Sequence, residues 1–239
     1  MSPRSALVAV LVSVALATTA CSDGGEDRPE RRLPPLPDVD PPVAAEHPPT
    51  SRGHVDRAWL RDASRATRIP ARVLRAYVTA TTAANAGRPS CELAWNTVAA
   101  IGRIESIHGA VNGSRIHGDG VARPRIRGIP LDGRGVKAIR DTDGGELDDD
   151  DRWDRAVGPM QFIPTTWSRW GSDGDGDGSR NPQDVDDAAL AAGRYLCAAG
   201  RRLGTRDGWL RAVVTYNQSS EYVGKVSSTA TRYAKRTSR

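Results

Sequence analysis

Glu105 is the acid whose setting in this sequence can change its chemistry. It stands near the far end of an otherwise apolar stretch, Cys91 to Gly109, that reads as one helix. At 100° per residue it falls about 20° from Val98 and about 40° from Ile101, on a stripe that includes Trp95 and Ile101 or Gly102. A carboxylate on a core-facing stripe is deprived of water, and desolvation raises its pKa. The stretch therefore predicts a general acid/base at the floor of a cleft. Ser90 is the expected N-cap of the helix and Gly109 its stop.

Two further stretches could wall that cleft. In Ala156–Trp167, bends at Gly158-Pro159 and Pro164 flank an apolar run holding Met160 and the amide of Gln161. A buried amide must be hydrogen-bonded, and a polar cleft supplies partners. In Val213–Gln218 an apolar helix end runs into Tyr216 and Asn217. Each alone reads equally well as structural.

A different chemistry is written at 173–184. Asp173, Asp175, Asp177, Ser179, Asn181 and Asp184 match positions 1, 3, 5, 7, 9 and 12 of a calcium loop, and Gly178 falls at the sharp turn. Asp184 is one methylene shorter than the usual Glu, and Arg180 and Pro182 also depart from the pattern. The expectation is a structural Ca2+; the plain alternative is an acidic glycine-rich turn. His108 and His117 lack neighbouring ligands at zinc spacing. Asp148–Asp151 reads as a solvated loop, with a second ion or a place on the cleft rim as the alternative.

The elements that must position these residues occupy only part of the 239-residue chain, enough for one domain or two small ones. Net charge is +5, with basic residues scattered and no basic–aromatic surface, which excludes nucleic acid as the evident partner. Arg4, the apolar run Ala6–Ala17 and Thr18-Thr19-Ala20 read as an export signal over 1–20, too short to span a membrane. Cys21 follows directly, as a lipidation site or, in simple secretion, an unmodified residue. Residues 21–52, rich in Pro and charge, predict a disordered tether. Cys91 and Cys197 then form an even pair in an exported chain: a disulfide, or two unconnected buried thiols.

The folded part is expected over 53–239. Helical periodicity runs over 55–68, 71–86, 164–170, 185–200, 206–216 and 219–233. Between them, 110–155 is rich in Gly, Asp, Arg and Pro, and only 125–131 and 136–139 could pair as strands. An insertion of that length is usually functional.

Taken in order, I-G-R-I-E-S-I-H-G at 101–109, G-P-M-Q-F-I-P-T-T-W at 158–167, N-P-Q-D-V-D-D-A-A at 181–189 and T-Y-N-Q-S at 215–219 resemble the lytic transglycosylases of bacterial cell walls. The likeness is to the membrane-bound lytic murein transglycosylase B type, in its actinobacterial lipoprotein form. It covers roughly 53–235. It implies a predominantly α-helical α+β, lysozyme-like domain with a loop and short-strand insertion. The implied reaction is cleavage of the β-1,4 bond between N-acetylmuramic acid and N-acetylglucosamine in peptidoglycan strands.

By position, the resemblance makes Glu105 the acid/base and Ser106 its hydrogen-bonding neighbour. Met160 and Gln161 would line the sugar cleft, with Tyr216 and Asn217 across it and Tyr216 near the carboxylate. It also favours the calcium loop and calls for no organic cofactor. An ordinary glycosidase needs two carboxylates, and no second acid sits on a comparable stripe. Asp119, Asp141 or Asp143 could still supply one, which would make the enzyme a hydrolase. A catalytically silent wall-binding module is the rival of another class. The expected setting is the outer face of the membrane or the wall, as a monomer.

Overall fold

A helix that is apolar on every side belongs in the middle of a fold, and the helix of Glu105 lies there. The structure is a computed structural model describing residues 36–51 and 54–238. The export signal and Cys21 lie outside the described residues. Among those described, no helix is long and apolar enough to cross a membrane.

Two short strands, β1 (Thr50–Ser51) and β2 (His54–Val55), pair ahead of α1 (Arg57–Thr67), α2 (Ala71–Gly87) and α3 (Trp95–Ser106). Asp56 caps α1 through Trp59 N–H, and Pro70 precedes α2. The helix of Glu105 is shorter than the sequence predicts. Pro89–Cys91 forms a separate 3-10 turn, and α3 starts after Ala94 with no side-chain cap, so Ser90 does not cap it. Instead Asn85 holds both backbone groups of Leu93. The stop comes at Ile107, in the left-handed region at φ 55°, two residues before Gly109. Every residue from Trp95 to Gly102 is buried, together with Glu105 and Ser106. The expected stripe is therefore a helix buried on nearly every side, with Arg103 exposed near its end.

Helices α4 (Pro164–Trp170), α5 (Val185–Gly200), α6 (Arg206–Tyr216) and α7 (Ser220–Thr237) complete the set. Capping explains their starts: Asp184, Thr205 and Ser219 accept backbone N–H groups of α5, α6 and α7. α2 packs on α5, α5 on α6, and α3 on α7. Cys91 and Cys197 are joined, with Cα atoms 5.2 Å apart across 106 residues. On the loop-entropy account such a link contributes about 4 kcal/mol.

The insertion is less open than its composition suggests. β3 (Arg115–Ile116) pairs with β4 (Ala122–Arg123), and β5 (Arg127–Pro130) with β6 (Arg155–Val157). Strand pairing around 127 is as expected, but its partner is 155–157. The 136–139 run makes only a bridge, Ala138 to Asp132. The Gln183 amide exchanges two hydrogen bonds with the backbone of Ile126, fixing the insertion to the start of α5.

The tether reading over 21–52 does not hold for its described part. Leu36, Val39 and Ala45 pack on the core. Asn96 bonds Ala45 N–H and the Val43 carbonyl, and the Ser227 hydroxyl donates to the Asp40 carbonyl. The prolines block helix and sheet, but they leave backbone groups free for Asn96 and Ser227 to take up.

Gly102 marks the closest approach to α3: a Cβ there would lie 2.1 Å from the Tyr77 hydroxyl. Gly102→Ala should lower stability by about 1–3 kcal/mol, read as a drop in melting temperature. An unchanged melt would show that Tyr77 yields freely.

Candidate active site

Glu105 sits in the last turn of α3 with 6% of its surface exposed. Its Oε1 accepts a 2.6 Å hydrogen bond from the Tyr222 hydroxyl of α7. Oε2 is buried with no hydrogen-bond partner among the described residues. Burial raises the carboxyl pKa from 4.5 to about 8, and the Tyr222 bond partly opposes this. No other carboxylate among the described residues contributes to the shift. At neutral pH the group is thus a carboxylic acid with one oxygen held and one free, as a proton donor requires. Tyr222, itself pushed far up by burial and by Glu105, stays a phenol donor.

The corner between α6 and α7 delivers that phenol. Asn217 accepts the Ser219 N–H, and the Ser219 hydroxyl oxygen accepts the Tyr222 N–H. Asn217 is therefore a turn former, 5% exposed. Tyr216 is also near enough for the Glu105 charge to raise its pKa, but its hydroxyl donates to the Met160 carbonyl. The expected tyrosine is a core residue, and the acid's partner is six positions later. Sequence reasoning missed Tyr222 because it stands on a buried stripe with Val223, Val226, Ala230 and Tyr233, which reads as core.

Gly158–Gln161 forms a tight hairpin turn closed by mutual bonds between Val157 and Phe162. Gly158 has φ 76° and presses on the Pro182 carbonyl, 1.7 Å from where a Cβ would stand. Gln161 adopts φ 51°, and its amide donates to the Gly158 carbonyl. It is the partly exposed member of the turn; Met160 is fully buried, in the core instead of on an open wall. Ser106 is also buried: its hydroxyl donates to the Pro159 carbonyl at 2.6 Å and accepts from Gly109 N–H. It clamps the end of α3 to the turn.

The candidate second acids are engaged elsewhere. Asp119 pairs with Arg123, and Asp141 accepts N–H groups of its own turn. Asp143 accepts from Leu147 N–H. His108 lies buried between the hydroxyls of Tyr77 and Tyr233.

The acidic loop is arranged differently from the spacing pattern. Asp184 turns to cap α5, because the N–H groups of Asp186 and Asp187 compete for its carboxylate. Asp187, unmarked by the pattern, points back and takes N–H bonds from Gly174 and Asn181, closing the loop. Carboxylate oxygens of Asp173, Asp175 and Asp187 lie within 4.8 Å of one another, as do those of Asp175, Asp184 and Asp186. Asp177 is in neither group. Asp186 pairs with Arg72. Burial first, then neighbouring acids, pushes Asp184 to about 7 and Asp187 to about 6. Crowded hard oxygens with little counter-charge fit a hard divalent cation.

Residues 143–233 match the family model described as the transglycosylase SLT domain. The matched segment includes Gln161, Tyr222 and the acidic loop, while Glu105 precedes it. Among solved structures, SltB3 from Pseudomonas aeruginosa, in complex with NAG-anhNAM-pentapeptide, is similar at 17% identity. The likeness covers 73% of this chain and 66% of that one, with a TM-score of 0.40, and transfers no residue role. No curated protein matches the chain.

A 13C titration of Glu105 should show a midpoint near 8. Tyr222→Phe removes a bond that favours the carboxylate, so it should move the midpoint upward. A midpoint in the ordinary glutamate range would contradict the burial described.

Proposed function

We propose that this chain is a peptidoglycan lytic transglycosylase of the membrane-bound lytic murein transglycosylase B type, in its actinobacterial lipoprotein form. The observation that carries the reading is Glu105, protonated at neutral pH, held at one oxygen and free at the other, beside an SLT domain. In the proposed reaction Glu105 donates its proton to the glycosidic oxygen as the bond to C1 of N-acetylmuramic acid breaks. The sugar's 2-acetamido group stabilises the positive centre. The Glu105 carboxylate then takes the proton of the 6-hydroxyl, whose oxygen bonds to C1, giving a 1,6-anhydro end without consuming water.

A second carboxylate at glycosidase separation would raise the Glu105 pKa further. Among the described residues none does so, in keeping with a single acid. Tyr222 is the positioning residue for it. Gln161, partly exposed on its turn, is the residue that would contact the glycan. In this reading the chain is exported, anchored through lipid on Cys21, and acts as a monomer on the wall's glycan strands.

Digestion of purified peptidoglycan followed by mass spectrometry tests the reaction. Anhydro-muropeptides should be released, and Glu105→Gln should lower release by at least about a hundredfold. Reducing ends would mean a hydrolase, and no release a binder. As general acid, Glu105 must be protonated, so activity should fall as pH rises through about 8.

We also propose that Asp173, Asp175 and Asp187 hold Ca2+, which would neutralise the loop and fix it to α5. Calcium should raise the melting temperature and chelator reverse the gain; in Asp187→Asn both effects should shrink. Identical melts at saturating calcium would overturn the site.

A further inference from the structure

Behind α3 lies a cavity of about 550 Å3 that Glu105 does not line. Arg103 and Glu105 are two residues apart, so their side chains leave α3 about 160° apart. Four arginines converge on the cavity from three elements: Arg68 after α1, Arg103 on α3, and Arg232 and Arg236 on α7. No acidic residue lines it. Arginines with an acid in reach pair with it, as in Arg72–Asp186, Arg123–Asp119 and Arg155–Asp150. Among the described residues none of these four forms an ion pair. Arg232 bonds only Thr229.

Helix-end electrostatics give a plainer reason for basic residues here, since the carboxy-terminal ends of α1, α3 and α7 all approach. Each end carries about half a negative charge, roughly one and a half in total against four guanidiniums. The excess is well over two positive charges, more than the helix ends require. The remaining wall is also built: Tyr233 and His108 are buried and bonded to each other at 2.9 Å. Ile107, in the left-handed conformation at φ 55°, is 48% exposed on the same wall.

We propose that this cavity binds a phosphate group through Arg68, Arg103, Arg232 and Arg236. Guanidinium forks match the paired oxygens of phosphate, and several of them suit its multiple charge better than a single carboxylate. A soluble phosphate and an anionic lipid headgroup share this chemistry, and Ile107 at the opening is compatible with either. The site is independent of the reaction proposed for Glu105.

Calorimetric titration of the full chain with inorganic phosphate, at constant ionic strength, should show saturable binding. Arg103→Ala/Arg236→Ala, which removes two exposed guanidiniums, should weaken it by about tenfold or more. Arg103→Gln/Arg236→Gln gives a second, polar version should the first fold poorly. Glu105→Gln should bind phosphate normally, so failure of the glycan-cleaving reading leaves this test intact. In parallel, co-sedimentation compares phosphatidylcholine vesicles with phosphatidylcholine–phosphatidylglycerol vesicles. A preference for the anionic vesicles that the double variant loses, with no binding of free phosphate, assigns the headgroup as source. Absence of both responses, or responses equal in the double variant, overturns the proposal.

Discussion

The hydrogen bond from the Tyr222 phenol to the Glu105 carboxyl lets an acid sit inside a helical core. Without water, an ionised carboxylate there would be strongly disfavoured. Protonation resolves the conflict, and a single donor orients the group without stabilising the anion enough to ionise it. The folded pKa, about 8, stands above the ordinary 4.5. Glu105's contribution to stability is therefore fully present below pH 4.5 and is lost as pH rises through 8. The shift corresponds to a few kcal/mol, a substantial share of a small domain's margin. A side chain retained at that expense is not there for packing.

The surrounding bonds make sense as supports for this pair. Ser106 ties the end of α3 to the Gly158–Gln161 turn, and that turn rests on the carbonyl of Pro182. Gln183 joins the same loop to the insertion. Asn217 and Ser219 set the start of α7 and with it Tyr222. Ser106 and Asn217 thus hold backbone segments in register.

Much of this was readable from the residues, and the misses share a cause. The helices from 164 onward begin within a residue of their predicted starts because caps and apolar periodicity are local signals, although α7 runs a turn past the expected 233. Glu105 was readable because an acid among apolar residues is conspicuous. Tyr222 was not, since its hydroxyl matters only through a carboxylate 117 positions away. Asp187 hid for a similar reason: spacing counts along the chain, but a helix N-terminus drew Asp184 off and turned Asp187 inward. The segment 36–49 looked unstructured because its partners, Asn96 and Ser227, are far away in sequence.

The distance along the chain between the acid and its phenol has a consequence for timing. Chains emerge amino-terminus first, so Glu105 is made long before α7. Until that last helix docks, the carboxyl lacks both its donor and part of the cover that keeps it protonated, and behaves as an ordinary solvated glutamate. A chain without α7 therefore lacks the held, protonated carboxyl on which the proposed reaction rests.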